Sequence, residues 1–267
     1  LNLKPRRDEC FTTSGETSKS CVYGGDDVRA IVIGDSHADA ITTAVQAALP
    51  SSKYGVVDWS YISCPTIFGL HVIADRPVEK CYEFNKWASD NIKKYSNDIP
   101  LVIINRASAY ALGQHNIKDK MNMSLSYFNK KNDHITQDFL NEYKDKLIET
   151  ACSYAKKRHV FITRPIPEMM VDVPKTMARG MMFGKQVEVS ISLEEYHQRH
   201  AMVWSAQDEA ARRCGVTILN PLPYLCHDGR CWGSKDGRPL YYDDDHMSEY
   251  GNKLLVPMFR QVFEPKR

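Results

Sequence analysis

A serine on a glycine turn near one end of this chain, and an aspartate–histidine pair near the other, are the residue types from which nucleophilic catalysis is built. The segment Ile31-Val32-Ile33-Gly34-Asp35-Ser36-His37-Ala38 reads as an apolar strand, a glycine turn and the start of an amphipathic helix. Such a turn sets Oγ of Ser36 at the carboxyl end of a strand, where open α/β sheets bind ligands. It also sets the serine at a helix N-terminus, whose free N–H groups and dipole favour a developing oxyanion. Gly34 permits the tight turn and the close backbone approach. A helix cap at Asp35 or Ser36 would need the same residue types, so the motif alone does not decide. The second segment is Tyr241-Tyr242-Asp243-Asp244-Asp245-His246-Met247-Ser248. A serine is a weak nucleophile until a base takes its proton, and a histidine base needs a carboxylate to fix its tautomer. Asp243 and His246, three apart on one turn, supply both. The plainer reading is a solvated acidic turn, to which Asp244 and Asp245 are assigned.

Five short apolar runs read as buried strands: Ala30–Ile33, Tyr54–Trp59, Leu101–Asn105, His159–Thr163 and Val216–Leu219. Helical periodicity covers His37–Leu49 and Thr136–Lys157. A third helix opens on the capping box Ser192-Leu193-Glu194-Glu195 and runs to about Arg213. The last begins near Ser248, with Pro257 expected to bend it. Alternating elements with all-buried strands predict a parallel sheet covered on both faces, a three-layer α/β domain. Ala107–Asp133 and Glu168–Ser190 lack a clean period and are expected to be lids, binding loops or packed flaps. The second holds five methionines between Met169 and Met182. Residues 1–27 are polar and read as an extension or linker arm, leaving 28–267 as the catalytic domain.

Composition narrows the classes. In 267 residues, 35 basic against 33 acidic groups leave a net charge of +2, too little to draw nucleic acid or an anionic membrane to the whole surface. The longest apolar runs fall far short of the roughly 20 residues that span a bilayer. Leu rather than Met at position 1 suggests a piece of a longer polypeptide. Eight cysteines are many for a reducing compartment, and zinc spacings such as C-x-x-C or H-E-x-x-H do not occur. His197 and His200, one helical turn apart, come nearest. Sequence order suggests bridges Cys10–Cys21, Cys64–Cys81 and Cys226–Cys231, with Cys152–Cys214 left over, against the alternative of buried free thiols. No phosphate-cradling glycine loop is present, so no cofactor is expected, and no metal.

Gly34-Asp35-Ser36-His37 with Asp243-x-x-His246 resembles the SGNH (GDSL-like) hydrolase superfamily. The tail from Tyr242 to Gly251, and Ser63-Cys64-Pro65 with Cys81 downstream, are similar to the SGNH domains fused behind the membrane-embedded acyltransferase-3 domain of bacterial O-acetyltransferases. These include enzymes that acetylate lipopolysaccharide O-antigen. The resemblance covers roughly Val28 to Phe263. It implies a flavodoxin-like sheet of five parallel strands, a periplasmic setting, and a membrane region outside this chain that delivers the acetyl group.

Two departures concern the oxyanion hole. The superfamily usually has a glycine after the second strand, yet none lies between Val56 and Phe68. Ser63 or a neighbour would then donate its backbone N–H. The third strand ends Ile103-Ile104-Asn105-Arg106 without the superfamily's Gly and Asp, and Asn105 stands where a side-chain donor belongs. The resemblance thus assigns Ser36 as nucleophile, His246 as base and Asp243 as its orienter. The N–H of Ser36, Asn105 and Ser63 are the oxyanion candidates. Asp35 and Arg106 are candidate substrate contacts, each with a structural alternative as cap or salt bridge. The expected reaction is acetyl transfer to a hydroxyl of a surface polysaccharide by a monomeric domain. Carbohydrate acetylester hydrolysis, or non-catalytic glycan positioning, is the alternative.

Overall fold

The computed structural model describes residues 3–73, 80–115, 123–131 and 133–264. Its centre is a sheet whose strands are β1 (Cys21–Gly24), β2 (Asp27–Gly34), β3 (Tyr54–Ser60), β4 (Leu101–Ile104), β5 (Val160–Thr163) and β6 (Thr217–Leu219). The spatial order is β1-β3-β2-β4-β5-β6. The expected five strands are all present and parallel, and β1 adds an antiparallel sixth on the edge, Cys21 opposite Asp58 and Gly24 opposite Gly55. The edge strand comes from the segment read as an arm, whose polar sequence carries no strand period.

Each strand alternates between two cores, as the pleat requires. Ala30, Val32, Val56, Val102 and Ile104 face α1 (Ser36–Ala47) and α7 (Glu249–Phe259). Ile31, Ile33, Val57, Trp59, Ile103 and Ile162 face α2 (Cys81–Asn91), α4 (Gln137–Ala155) and α6 (Leu193–Cys214). Between α2 and α4 lies the short α3 (Ala107–Leu112), and before α6 lies α5 (Val173–Met182). The predicted capping box opens α6, with Glu195 N–H on Oγ of Ser192 at 3.1 Å and Ser192 N–H on Oε2 of Glu195 at 2.7 Å. Gly215, at φ 68°, ends it. Helix α7 continues through Pro257 to Phe259. The segments expected to be irregular carry α3, α5 and a two-residue pairing of Ser126–Tyr127 with His71–Val72. Residues 116–122 and 132 of the first segment lie outside the described residues.

The chain start is tied to the sheet by charge. Lys4 is buried and ion-paired to both Asp39 of α1 and Asp58 of β3, the latter at 2.6 Å. Arg7 holds the other oxygen of Asp39 at 2.7 Å. Cys10–Cys21, Cys64–Cys81, Cys152–Cys214 and Cys226–Cys231 are bridged, the pairing that sequence order suggested. No helix among the described residues is long and apolar enough to cross a membrane.

Candidate active site

The connections after β2 and β4 diverge at the switch point of the sheet, where α/β folds place their ligands. Gly34 is obligatory there: a Cβ would sit 1.8 Å from the carbonyl oxygen of Ile104. The next residue, Asp35, caps α1 by accepting the N–H of His37 at 2.8 Å, and its other oxygen accepts the N–H of Arg106 at 2.6 Å. Fully buried and committed on both oxygens, Asp35 pins the two turns together. The expectation that it contacts substrate is corrected.

Ser36 opens α1 with its hydroxyl in the cleft. Oγ lies 2.7 Å from Nε2 of His246, and Nδ1 of that ring lies 2.8 Å from Oδ2 of Asp243. The loop carrying these two residues is closed at its base by the Tyr241–Met247 bridge and by Ser248 N–H on the Leu240 carbonyl. Asp243 Oδ1 accepts the N–H groups of Asp245 and His246 at 3.0 and 2.8 Å, which fixes the turn. Helix α7 carries the loop to α1, with Asn252 donating to the Ala40 carbonyl at 2.6 Å and Glu249 accepting from Thr43 at 2.7 Å. Tyr242 stacks on His246 at 5.2 Å between ring centres.

Asp245, assigned to a solvated turn on sequence, is buried and belongs to the site. Its Oδ1 lies 2.7 Å from Nδ1 of His246 and 3.5 Å from Nε2 of the buried His37. Its Oδ2 is paired with Arg106 at 2.6 Å. Arg106 also reaches Glu168 at 3.2 Å and Gln114 at 2.8 Å. The salt-bridge alternative for Arg106 is therefore what forms, although its side chain still edges the cleft. Behind it, Glu168 is buried against Arg106, Arg199 and His115. Neither Glu168 nor Asp245 carried a sequence signal beyond being acidic.

Burial opposes the charge on His246, but Asp245 and Asp243 outweigh it and raise the ring to about 10. Burial also works against the Asp243 carboxylate, whose bond to His246 nevertheless holds it below the usual range. A second serine–histidine pair, Ser108 Oγ to His200 Nδ1 at 2.7 Å, lies wholly buried. Burial drops His200 to about 3, so it stays neutral and out of reach of substrate. No zinc-like group forms around His197 and His200 among the described residues.

The cleft holds about 450 Å³ and is lined by Ser36, Asp243, His246, Ser63, Arg106 and Tyr242, with Arg7 and Phe11 from the chain start. Ser63 stands where the missing glycine was noted, and it takes the left-handed conformation itself, φ 51°. Among the described residues its backbone N–H has no acceptor. Asn105 is placed differently. Its Oδ1 accepts the Thr66 N–H at 3.0 Å. That bond fastens the Ser63–Thr66 turn to the end of β4 and engages only the amide oxygen, leaving the side-chain N–H groups of Asn105 outside it.

A family model described as the SGNH domain fused to AT3 domains matches residues 9–261. The chain belongs to that family. Among solved structures, this SGNH domain is similar to the lipopolysaccharide acetyltransferase periplasmic domain of Salmonella ser. Paratyphi A. That match has 13% identity and a TM-score of 0.60, and it covers 90% of this chain and 85% of the other. It also matches an acetylxylan esterase from Geobacillus stearothermophilus at 12% identity and a TM-score of 0.49, over 91% and 97% of the two chains. At 13% identity the likeness to the Salmonella domain speaks for the fold alone. No curated protein sequence matches this SGNH domain.

Proposed function

We propose that this domain transfers an acetyl group through an ester on Ser36 to a hydroxyl of a bacterial surface polysaccharide such as lipopolysaccharide O-antigen. The observation that carries the reading is the continuous relay from Ser36 through His246 to Asp243 at the sheet's switch point. In the first half-reaction Oγ of Ser36 attacks the acetyl carbonyl while Nε2 of His246 takes its proton. The N–H groups of Ser36 and Ser63 and the side-chain amide of Asn105 are the donors to the oxyanion. Collapse breaks the bond to the donor's leaving group, which receives the proton from His246. In the second half-reaction the sugar hydroxyl gives its proton to His246 and attacks the Ser36 ester, and the serine recovers the proton. Asp243 accepts the Nδ1–H throughout and stabilises the imidazolium.

Membership of a family fused to AT3 domains favours transfer, with the acetyl donor supplied from such a membrane partner. Four disulfides support a periplasmic setting for the domain. In this reading residues 28–267 form the catalytic unit, and Arg7 and Phe11 of the preceding segment complete one wall of its cleft. The isolated domain acts as a monomer. Hydrolysis by the same residues is the second reading, favoured by a partly exposed His246 that water can reach.

The test follows acetyl from 4-nitrophenyl acetate with and without oligosaccharide acceptor, in the wild type and Ser36→Ala. Acetyl on the sugar that requires Ser36 establishes transfer. Acetate release indifferent to the sugar supports the esterase, and turnover unaffected by Ser36→Ala overturns both.

A further inference from the structure

The largest exposed apolar side chains of the described residues do not surround the cleft. Met181, Met182 and Phe183 are consecutive, at the end of α5, and are 71%, 84% and 74% exposed. Single exposed hydrophobics are unremarkable, but three adjoining ones on a protruding tip mark a surface that meets something apolar. The tip is built to hold its shape. Gly184, in the left-handed conformation at φ 67°, turns the chain back, and Lys185 N–H closes the turn on the Gly180 carbonyl at 3.0 Å. Val187 then packs so closely on Gly180 that a Cβ there would lie 2.3 Å from its methyl.

Charge says what the apolar surface is. Two exposed cations, Arg179 and Lys185, stand on either side of the tip with no ion pair among the described residues, whereas Lys175 is paired with Asp172 at 2.6 Å and Glu188 follows beyond Val187. Apolar side chains at a tip flanked by two unpaired cations match the interface of an anionic bilayer. Methionine and phenylalanine enter the acyl boundary while lysine and arginine stay among the headgroups.

We propose that the Met181–Phe183 tip is a membrane-insertion element that seats the domain on an anionic phospholipid surface. The same segment is attached to the candidate active site. Met169 N–H donates to the Asp244 carbonyl at 2.7 Å, and Val173 N–H donates to the Asp243 carbonyl at 3.0 Å. Seating the tip on lipid therefore holds the Asp243–His246 turn at a set height above the bilayer. The element works whether or not Ser36 is a nucleophile.

The test is cosedimentation with vesicles of equal parts phosphatidylglycerol and phosphatidylcholine, against phosphatidylcholine alone. The wild type and Ser36→Ala are expected to bind the mixed vesicles alike, about tenfold more tightly than the neutral ones, with the difference shrinking as salt rises. The double variant Met182→Asp with Phe183→Asp stays in the supernatant, while its rate on 4-nitrophenyl acetate matches the wild type. A Phe183→Trp protein shows a blue-shifted emission on mixed vesicles. Wild type remaining in the supernatant, or the double variant sedimenting as well as wild type, overturns the proposal. So does binding that appears only when an AT3 protein is present in the vesicles, since the tip would then be reading protein.

Discussion

The carboxylate of Asp245 lies 2.7 Å from Nδ1 of His246, as near as that of Asp243 at 2.8 Å, and it is far the more buried of the two. The geometry divides their roles. The ring N–H is directed at Asp243, while Asp245 Oδ1 makes no directional hydrogen bond. Asp243 thus fixes the tautomer, and Asp245 supplies negative charge, shared with Arg106 through its other oxygen.

Two carboxylates on one imidazole favour its protonated form, and a base must lose that proton before it can accept one from Ser36. The rate on 4-nitrophenyl acetate is therefore expected to climb with pH beyond the ordinary histidine range, towards about 10. Asp245→Asn removes one of the two negative charges beside the ring, so the imidazolium becomes easier to deprotonate. The rising limb should move to lower pH by about one unit or more. Asp243→Asn instead lowers the plateau, because the tautomer is lost. A full pH–rate profile for the three proteins separates the roles, and unchanged limbs in Asp245→Asn would remove Asp245 from the proton's surroundings.

Much of this arrangement can be read from the chain, for physical reasons that differ by residue. Gly34 and Ser36 are legible because a strand, a tight turn and a helix start leave a local pattern. Asp243 and His246 are legible because one turn contains both partners. Asp245 is not, since three successive aspartates differ only in direction, which the loop closure decides. Glu168 sits in a segment with no period, and its partners Arg106 and Arg199 come from distant elements. Helix α5 hides for a related reason. Val173, Met177 and Met181 recur every four residues, but the helix is ten residues long, with Pro174 at its start and Gly180 near its end, so the stripe is too short to stand out. Strand β1 is held by a disulfide and by edge pairing, neither of which shows as alternation.

Ser63 tests how the oxyanion hole is completed. If the backbone N–H is the donor, Ser63→Gly and Ser63→Ala keep the turnover of 4-nitrophenyl acetate within a few-fold. Ser63→Gly also gains about 1 kcal/mol of stability, because glycine takes φ near +50° without the Cβ penalty. A fall of about 10²-fold in both variants would show that the hydroxyl is the donor. Thermal unfolding and steady-state rates on the same preparations give both answers.

Lys4 neutralises two carboxylates that have no exposure to water. Lys4→Met leaves Asp39 with Arg7 alone and Asp58 with no cation. A loss of about 3–5 kcal/mol in guanidinium unfolding is expected. A loss below about 1 kcal/mol would mean that the chain start is not held by these pairs.

Glu168 links stability to acid. Burial resists its charge, but Arg106 and Arg199 overcome that and hold its carboxyl at about 2, against an ordinary 4.5. A group with a depressed folded-state value stabilises fully above its unfolded value and loses that contribution as the pH falls through the folded one. Urea midpoints of the wild type should therefore drop between about pH 4.5 and pH 2, with Glu168 a main contributor. Glu168→Gln should be less stable at neutral pH by about 3 kcal/mol and should lose less on acidification. Parallel pH curves for the two proteins would assign the acid sensitivity elsewhere.

The two backbone bonds from Met169 and Val173 to the carbonyls of Asp244 and Asp243 make one working part from segments far apart in the chain. Exchange of material between relatives has to respect that. A chimera that imports a foreign Tyr241–Ser248 loop without its matching Glu168–Val173 stretch inherits an acceptor row without its donors. Domain-shuffling experiments in this family are best cut so that both stretches come from one parent.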